Sequence, residues 1–347
     1  MQINGTRIGP QHAPYVIAEL SANHNGSLQR ALEIVDAMAA AGAHALKLQT
    51  YTADTMTLRG AYTIDNPKSL WHGRELYDLY QEAYTPWEWH KPLFERARAH
   101  GMAAFSSPFD ATSVDFLESL NVPAHKIASF ENTDIPLLRK VAATGKPVIM
   151  STGVATTDEL AYAVRTLREH GCRELLLLHC TSNYPASPTD SNLLTINHLA
   201  QTYQCEVGLS DHTIGIGVPL AAIGLGAVAI EKHVTMARAD GGVDSAFSLE
   251  PMELKSLVDE SVRAWQARGR VFYGLKPSEV SSRIFKRSIY VKKDIRAGEL
   301  FTADNLTVVR PSLGLEPRHW DWVIGARAQC DLVAGTPLSL DCVGGRA

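Results

Sequence analysis

Residues 15–50 read YVIAELSANHNGSLQRALEIVDAMAAAGAHALKLQT. An apolar, β-rich run (YVIAEL) gives way to a polar turn, then to a stretch whose apolar residues recur at i, i+3, i+4 and i+7. After Gly42 a second β-rich run, ALKLQT, begins. A helical period between two runs of strand composition predicts strand, helix and strand, with the glycine as the helix stop. The same unit recurs as far as residue 234, with further runs MAAFSSP from 102, AHKIAS from 124, PVIMST from 147, LLLLHCT from 175, EVGLSDH from 206 and AVAIEKHV from 227. Eight strand–helix units predict a (β/α)8 barrel of the TIM type, with a doubly wound parallel sheet as the structural alternative.

The bulk composition fits such a domain. At 347 residues, 45% hydrophobic and 20% charged with a net charge of −4, the chain has an ample core and no excess of charge suited to nucleic acid or an anionic membrane. A small-molecule role is expected, with no nucleic-acid and no membrane partner. The N-terminus MQINGTRIGP lacks the basic-then-apolar pattern of a signal peptide, and cytoplasmic residence is expected. Cys172, Cys180, Cys205, Cys330 and Cys342 show no CxxC spacing, so reduced thiols are expected rather than a zinc site or a disulfide framework.

Two segments break the repeat. Residues 51–85 form a connection far longer than an ordinary βα loop, and it is rich in aromatic residues (Tyr62, Trp71, Tyr77, Tyr80, Tyr84), which predicts a partly helical lid on the substrate side. Beyond a helix ending near Gly269 the βα pattern stops. DIRAGELF and DLVAGTPL echo each other there and predict two similar turns between short strands. The expected division is a barrel over 1–270, a linker over 271–283 and a small β-rich domain over 284–347.

In a barrel of this kind chemistry gathers at the C-terminal ends of the strands. Each of the eight runs carries polar residues there, Glu231 beside His233 among them. Lys47 and Lys126, with Ser107, Ser129, Ser151 and Ser210 around them, describe an anion site, read as a phosphate site; a Schiff-base lysine is the chemical rival. His212 and His233 end neighbouring strands in the same phase and could share a divalent metal, a weak signal by itself. His24, in the first loop, is a candidate third polar contact.

The motifs IAELSANHNG, KLQTYTADTMT, SSPFD, KIASFEN, STGVAT, LLHCTSNYP, GLSDHT and EKHV, in that order, resemble those of the sialic acid synthases. That resemblance implies a barrel condensing phosphoenolpyruvate with an open-chain amino sugar, using Mn2+, Mg2+ or Co2+, and a C-terminal antifreeze-like (SAF) domain. It implies that Glu19 and Glu131 sit at the reacting centre, that the Lys47, Lys126 and serine set holds phosphoenolpyruvate, and that His212 and His233 hold the metal. It further implies that Gln49, Tyr184 and Asp244 contact the sugar, and that Arg310 reaches the active site of a partner subunit in a domain-swapped homodimer. Ser182 stands where neuraminate-forming members carry asparagine. LWHGRELYDLY, TPWEWH and Phe130 resemble the branch whose acceptor is a diacetamido-trideoxy altrose; neuraminate and legionaminate precursors are the alternative acceptors. A non-catalytic sugar- or ice-binding protein is the remaining rival reading.

Overall fold

A computed structural model describes residues 1–67 and 69–346. The chain divides into two compact units, Met1–Gly269 and Arg270–Ala347.

In the first unit β1 (Tyr15–Glu19), β2 (Ala45–Thr50), β3 (Ala103–Pro108), β4 (His125–Ile127), β5 (Val148–Ser151), β6 (Leu175–Cys180), β7 (Glu206–Asp211) and β8 (Ala229–His233) close into one barrel, β8 pairing with β1. All neighbours run parallel. Closure excludes the doubly wound sheet. The strands are almost wholly buried because side chains on one face fill the barrel and those on the other meet the helices, which is why they read as near-continuous apolar runs. Helix α1 (Leu28–Ala40) illustrates the outer layer. Ser27 caps it by accepting from the Arg30 amide, and Ala31, Ile34, Val35 and Met38 face the barrel. The connection after β2 contains two short helices, α2 (Ala53–Met56) and α3 (Leu76–Ala83).

Register decides which polar groups meet. Glu19 lies opposite Lys47 of β2 on one side and His233 of β8 on the other. Ser210 of β7 lies opposite Glu231. Along β8 the side chains alternate, so Glu231 and His233 share a face while Lys232 takes the other, where its ammonium donates to Asp211 Oδ2 at 2.8 Å. Among the described residues no helix is long and apolar enough to cross a membrane.

The second unit pairs β9 (Ser288–Val291) with β10 (Leu306–Val309), and β11 (Ala326–Ala328) with β12 (Val343–Arg346), both antiparallel. The two echoed turns interlock. Asp331 Oδ1 accepts from the Ala297 amide at 2.8 Å and Asp294 Oδ1 accepts from the Ala334 amide at 2.7 Å, while Ile295 and Leu332 exchange both backbone hydrogen bonds at 2.8 Å. The buried core repeats with the same offset, Ile289 matching Ala326, Phe301 matching Leu338 and Leu306 matching Val343. Two copies of one half thus share one core.

Candidate active site

At the C-terminal ends of the strands a cavity of about 440 Å³ is walled by residues from all parts of the barrel and from the lid. Its floor is a buried ion cluster. Lys47 Nζ lies between Glu19 Oε2, in close contact, and Glu231 Oε1 at 2.8 Å. Lys126 Nζ approaches the same Glu231 oxygen at 3.4 Å, and Ser210 Oγ donates to it at 3.1 Å. Buried charges persist only when paired and hydrogen-bonded. Burial would raise the Glu231 carboxyl, but Lys126 and Lys47 outweigh it and hold it far below the usual range. Burial likewise opposes the charge on Lys47, yet Glu19 and Glu231 win and raise it, whereas burial prevails at Lys126 and lowers it. Burial lifts Glu19, Lys47 pulls it back and Glu231 adds to the lift.

Several buried polar atoms at this end have no hydrogen-bond partner among the described residues: Ser151 Oγ, Glu131 Oε2, Glu231 Oε2 and His233 Nδ1. An isolated unpaired group of this kind costs on the order of 1–3 kcal/mol, and several gathered at one cavity point to a polar ligand that completes them. Glu131 follows β4 in a short 3-10 turn, Ser129–Glu131, and burial pushes its carboxyl up to about 7 against the pull of Lys126. Gly153 lets the loop after β5 press against this turn, since a Cβ there would lie 2.6 Å from Ser129 Oγ.

His212 and His233 stand side by side, ring centroids 5.3 Å apart. His212 Nδ1 donates to the Thr181 carbonyl at 3.1 Å, so Nε2 is the ring nitrogen left for a ligand. Burial first, then His212 and Lys47, keep His233 far below its ordinary value, hence neutral. Burial opposes the charge on His212, but Cys180 and the Thr181 carbonyl outweigh it and raise its value. Two adjacent imidazoles, the His233 ring neutral with a buried unpartnered nitrogen, suit a divalent cation that displaces any proton they share and takes its other ligands from water or substrate oxygens. Among the described residues no cluster of three or more His, Cys, Asp or Glu side chains is arranged to hold a metal. Beside the pair, Asp244 Oδ2 accepts from Ser21 Oγ, and Gln49 Nε2 donates to Glu19 Oε1 at 2.7 Å.

The roof is aromatic. Tyr184 packs on His212 (4.4 Å), Trp71 of the lid (5.8 Å) and Phe247 (5.3 Å), and Trp71 Nε1 donates to the Val243 carbonyl at 3.2 Å. Tyr80 and Met56 add further lid contacts to the cavity wall, and Phe130 stands at the wall with 61% of its surface exposed.

Of the residues singled out from the sequence, Glu19, Glu131, Lys47, Lys126, Ser129, Ser151, Ser210, His212, His233, Gln49, Phe130, Ser182, Tyr184 and Asp244 come together around this one cavity. Ser107, in register with Gln49, is buried behind the wall rather than on it. Arg310 follows β10 in the second unit and is exposed. His24 does not join the site: it packs edge-on against Trp89 and its Nδ1 accepts from the Gly26 amide, so it holds the first loop instead. The counter-ion role of Glu231 is new, as are Ser21, Cys180 and Tyr51 as cavity residues. Glu231 carries a signal, standing two residues before His233 on the same face of β8.

A closed barrel with a buried lysine and glutamate cluster beneath an aromatic lid defines a barrel enzyme that binds a small, multiply charged molecule. The chain belongs to the NeuB family, whose model matches residues 34–273, and a SAF domain matches residues 286–344. It is 43% identical to the pseudaminic acid synthase of Campylobacter jejuni over 93% of this chain and 95% of that one. It is 37% identical to the N,N'-diacetyllegionaminic acid synthase of Legionella pneumophila over 97% of each. A solved N-acetylneuraminic acid synthetase from Leptospira borgpetersenii, in complex with citrate, superposes with a TM-score of 0.74 at 33% identity, covering 81% of this chain and 94% of that one.

Proposed function

We propose that the protein condenses phosphoenolpyruvate with 2,4-diacetamido-2,4,6-trideoxy-β-L-altropyranose and water, giving pseudaminic acid and phosphate. The observation that carries this reading is the convergence of Lys47 and Lys126 on one carboxylate oxygen beneath an aromatic roof. Support for the acceptor comes from the greater identity to pseudaminic acid synthases than to the legionaminic acid synthase.

Lys47 and Lys126 hold the phosphate and carboxylate of phosphoenolpyruvate, with the Ser151 hydroxyl among the donors that complete the shell. Glu231 is the resident counter-ion that keeps these ammonium groups paired before the ligand arrives. A divalent cation (Mn2+, Mg2+ or Co2+) held by His212 and His233 would supply Lewis-acid polarisation of the acceptor's aldehyde oxygen. The enol methylene forms the new C–C bond to the aldehyde carbon, and positive charge develops at the enol carbon, facing Glu19. Glu131, with a free Oε2 and an ionisation near neutrality, takes a proton from the water that adds there. C–O cleavage then releases phosphate. Gln49, Tyr184 and Asp244 hold the acceptor, and the Phe130 ring leaves an apolar wall suited to a 6-deoxy methyl group. Arg310 acts in trans, from the partner subunit of a homodimer, on the acceptor's amide.

The test measures phosphate release with the altrose acceptor, N-acetylmannosamine and the legionaminate precursor in parallel, with and without EDTA. The altrose derivative is expected to be preferred and EDTA to abolish turnover. A preference for N-acetylmannosamine would overturn the acceptor assignment. Phe130→Gly is expected to raise N-acetylmannosamine turnover relative to the altrose derivative, and an unchanged ratio would remove Phe130 from substrate choice.

A further inference from the structure

The second unit brings together two cysteines that sequence spacing leaves apart. Cys330 Sγ and Cys342 Sγ lie 3.6 Å from each other, with the Cys330 thiol donating to Cys342, and the Ser339 hydroxyl stands 3.2 Å from Cys342 Sγ. Cys330 is exposed and Cys342 partly so, which makes the pair accessible to small reagents. The strand pairing brings the two segments together. Ala328 pairs with Val343 across β11 and β12, and the Gln329 amide donates to the Cys342 carbonyl at 3.0 Å. Cys330 follows Gln329, so the two cysteines are offset by one residue at the ends of β11 and β12, and the approach of their sulfurs is what brings them within reach of a bond. Sulfur movement of about 1.5 Å, through side-chain rotation, would close the bond.

The internal repeat supplies the second observation. In the first copy Val291 pairs with Leu306 and the Lys292 amide donates to the Asn305 carbonyl at 2.7 Å, so Lys293 and Asn305 occupy the places of Cys330 and Cys342. The first copy joins its strands there without sulfur. The second puts thiols at both matching positions, and they face each other.

We propose that Cys330 and Cys342 form a reversible disulfide clasp across β11 and β12, made and broken by exchange with small disulfides such as oxidised glutathione. The Cys342 thiolate, which the Cys330 thiol and the Ser339 hydroxyl both face, attacks the small disulfide and releases one glutathione thiolate. The Cys330 thiol loses its proton to solvent, and the resulting thiolate attacks the mixed disulfide at the Cys342 sulfur and releases the second. The protein loses two protons and two electrons, and oxidised glutathione takes them up to become two thiols. The hydrogen bond to Cys342, with Asp331 nearby, holds the Cys330 thiol above its ordinary value, which places it as the resolving rather than the attacking sulfur.

The full-length protein is equilibrated with oxidised glutathione, alkylated with iodoacetamide and digested with trypsin. Both cysteines fall in one peptide, Ala328–Arg346. That peptide is expected to escape alkylation and to be about 2 Da lighter than its reduced form, and to return to double alkylation after prior reduction. Cys330→Ser and Cys342→Ser are each expected to stop at a stable glutathione adduct or an alkylated thiol. In the oxidised protein the Gln329 amide is expected to exchange its hydrogen roughly tenfold or more slowly, because the closed loop restricts opening of the strand pair. Double alkylation of the wild-type peptide after oxidation, a persistent glutathione adduct on it, or disulfide-linked pairs of chains would each overturn the clasp.

Discussion

Glu131 shows how burial and a nearby charge compete at one position. It stands within six residues of Lys126, which ought to hold its carboxylate charged and acidic, yet burial prevails and its carboxyl is lifted to about 7. The sign follows directly. A carboxyl with a raised folded value favours folding while protonated, and that contribution is lost as pH rises through about 7, at a cost of up to about 3 kcal/mol above it. The charged form, the one able to take a proton from water, predominates only above that point. Phosphate release, measured as kcat/KM between pH 5.5 and 9, is therefore expected to rise through a step near 7. Glu131→Gln should lose the step along with about 100-fold or more of the rate, while keeping phosphoenolpyruvate affinity and becoming less destabilised at alkaline pH. A Glu131→Gln enzyme with the wild-type rate and profile would assign the step to another group.

At the level of elements, the strands were legible in the sequence and the long connection only partly so. Buried barrel strands must be apolar on both faces, so Leu175–Leu178 or Val148–Met150 announce themselves. The lid announces itself by length and aromatic content, but its fold depends on partners far along the chain. Trp71 reaches the Val243 carbonyl and the Tyr184 ring, neither of which any local pattern could name. Glu231 was legible as a strand-end residue and not as a counter-ion, because the lysines that define it come from β2 and β4. His24 misled for the converse reason: a histidine in a catalytic-side loop looks available until Trp89 is seen against its ring. The Trp71 tether also predicts how the lid works. Trp71→Phe keeps a ring and loses the hydrogen bond to the loop that carries Asp244. The acceptor KM should rise about 3- to 10-fold, the equivalent of one modest hydrogen bond, with the phosphoenolpyruvate KM unchanged. A rise in the phosphoenolpyruvate KM alone would show that the lid serves the ion cluster and not the sugar.

For the whole molecule the open question is why a complete barrel carries a second unit. That unit has its own core, built from two matching halves, and nothing in its folding requires a catalytic role. The proposal that Arg310 serves the partner subunit makes the pairing of chains part of the chemistry, and it is separable from a role in cis by mixing two inactive proteins. Arg310→Ala keeps the barrel and loses the arginine; Lys47→Ala keeps the arginine and loses the ion cluster. In a dimer of one of each, action in trans restores one complete site, formed by the intact barrel of the Arg310→Ala chain and the arginine of the Lys47→Ala chain. Equal mixing after subunit exchange gives half mixed dimers, each with one working site of two, so about a quarter of wild-type phosphate release is expected. Action in cis leaves every site lacking one residue or the other and predicts no recovery. A third outcome, an Arg310→Ala protein that is fully active alone, would remove Arg310 from the reaction and leave the second unit without a catalytic role.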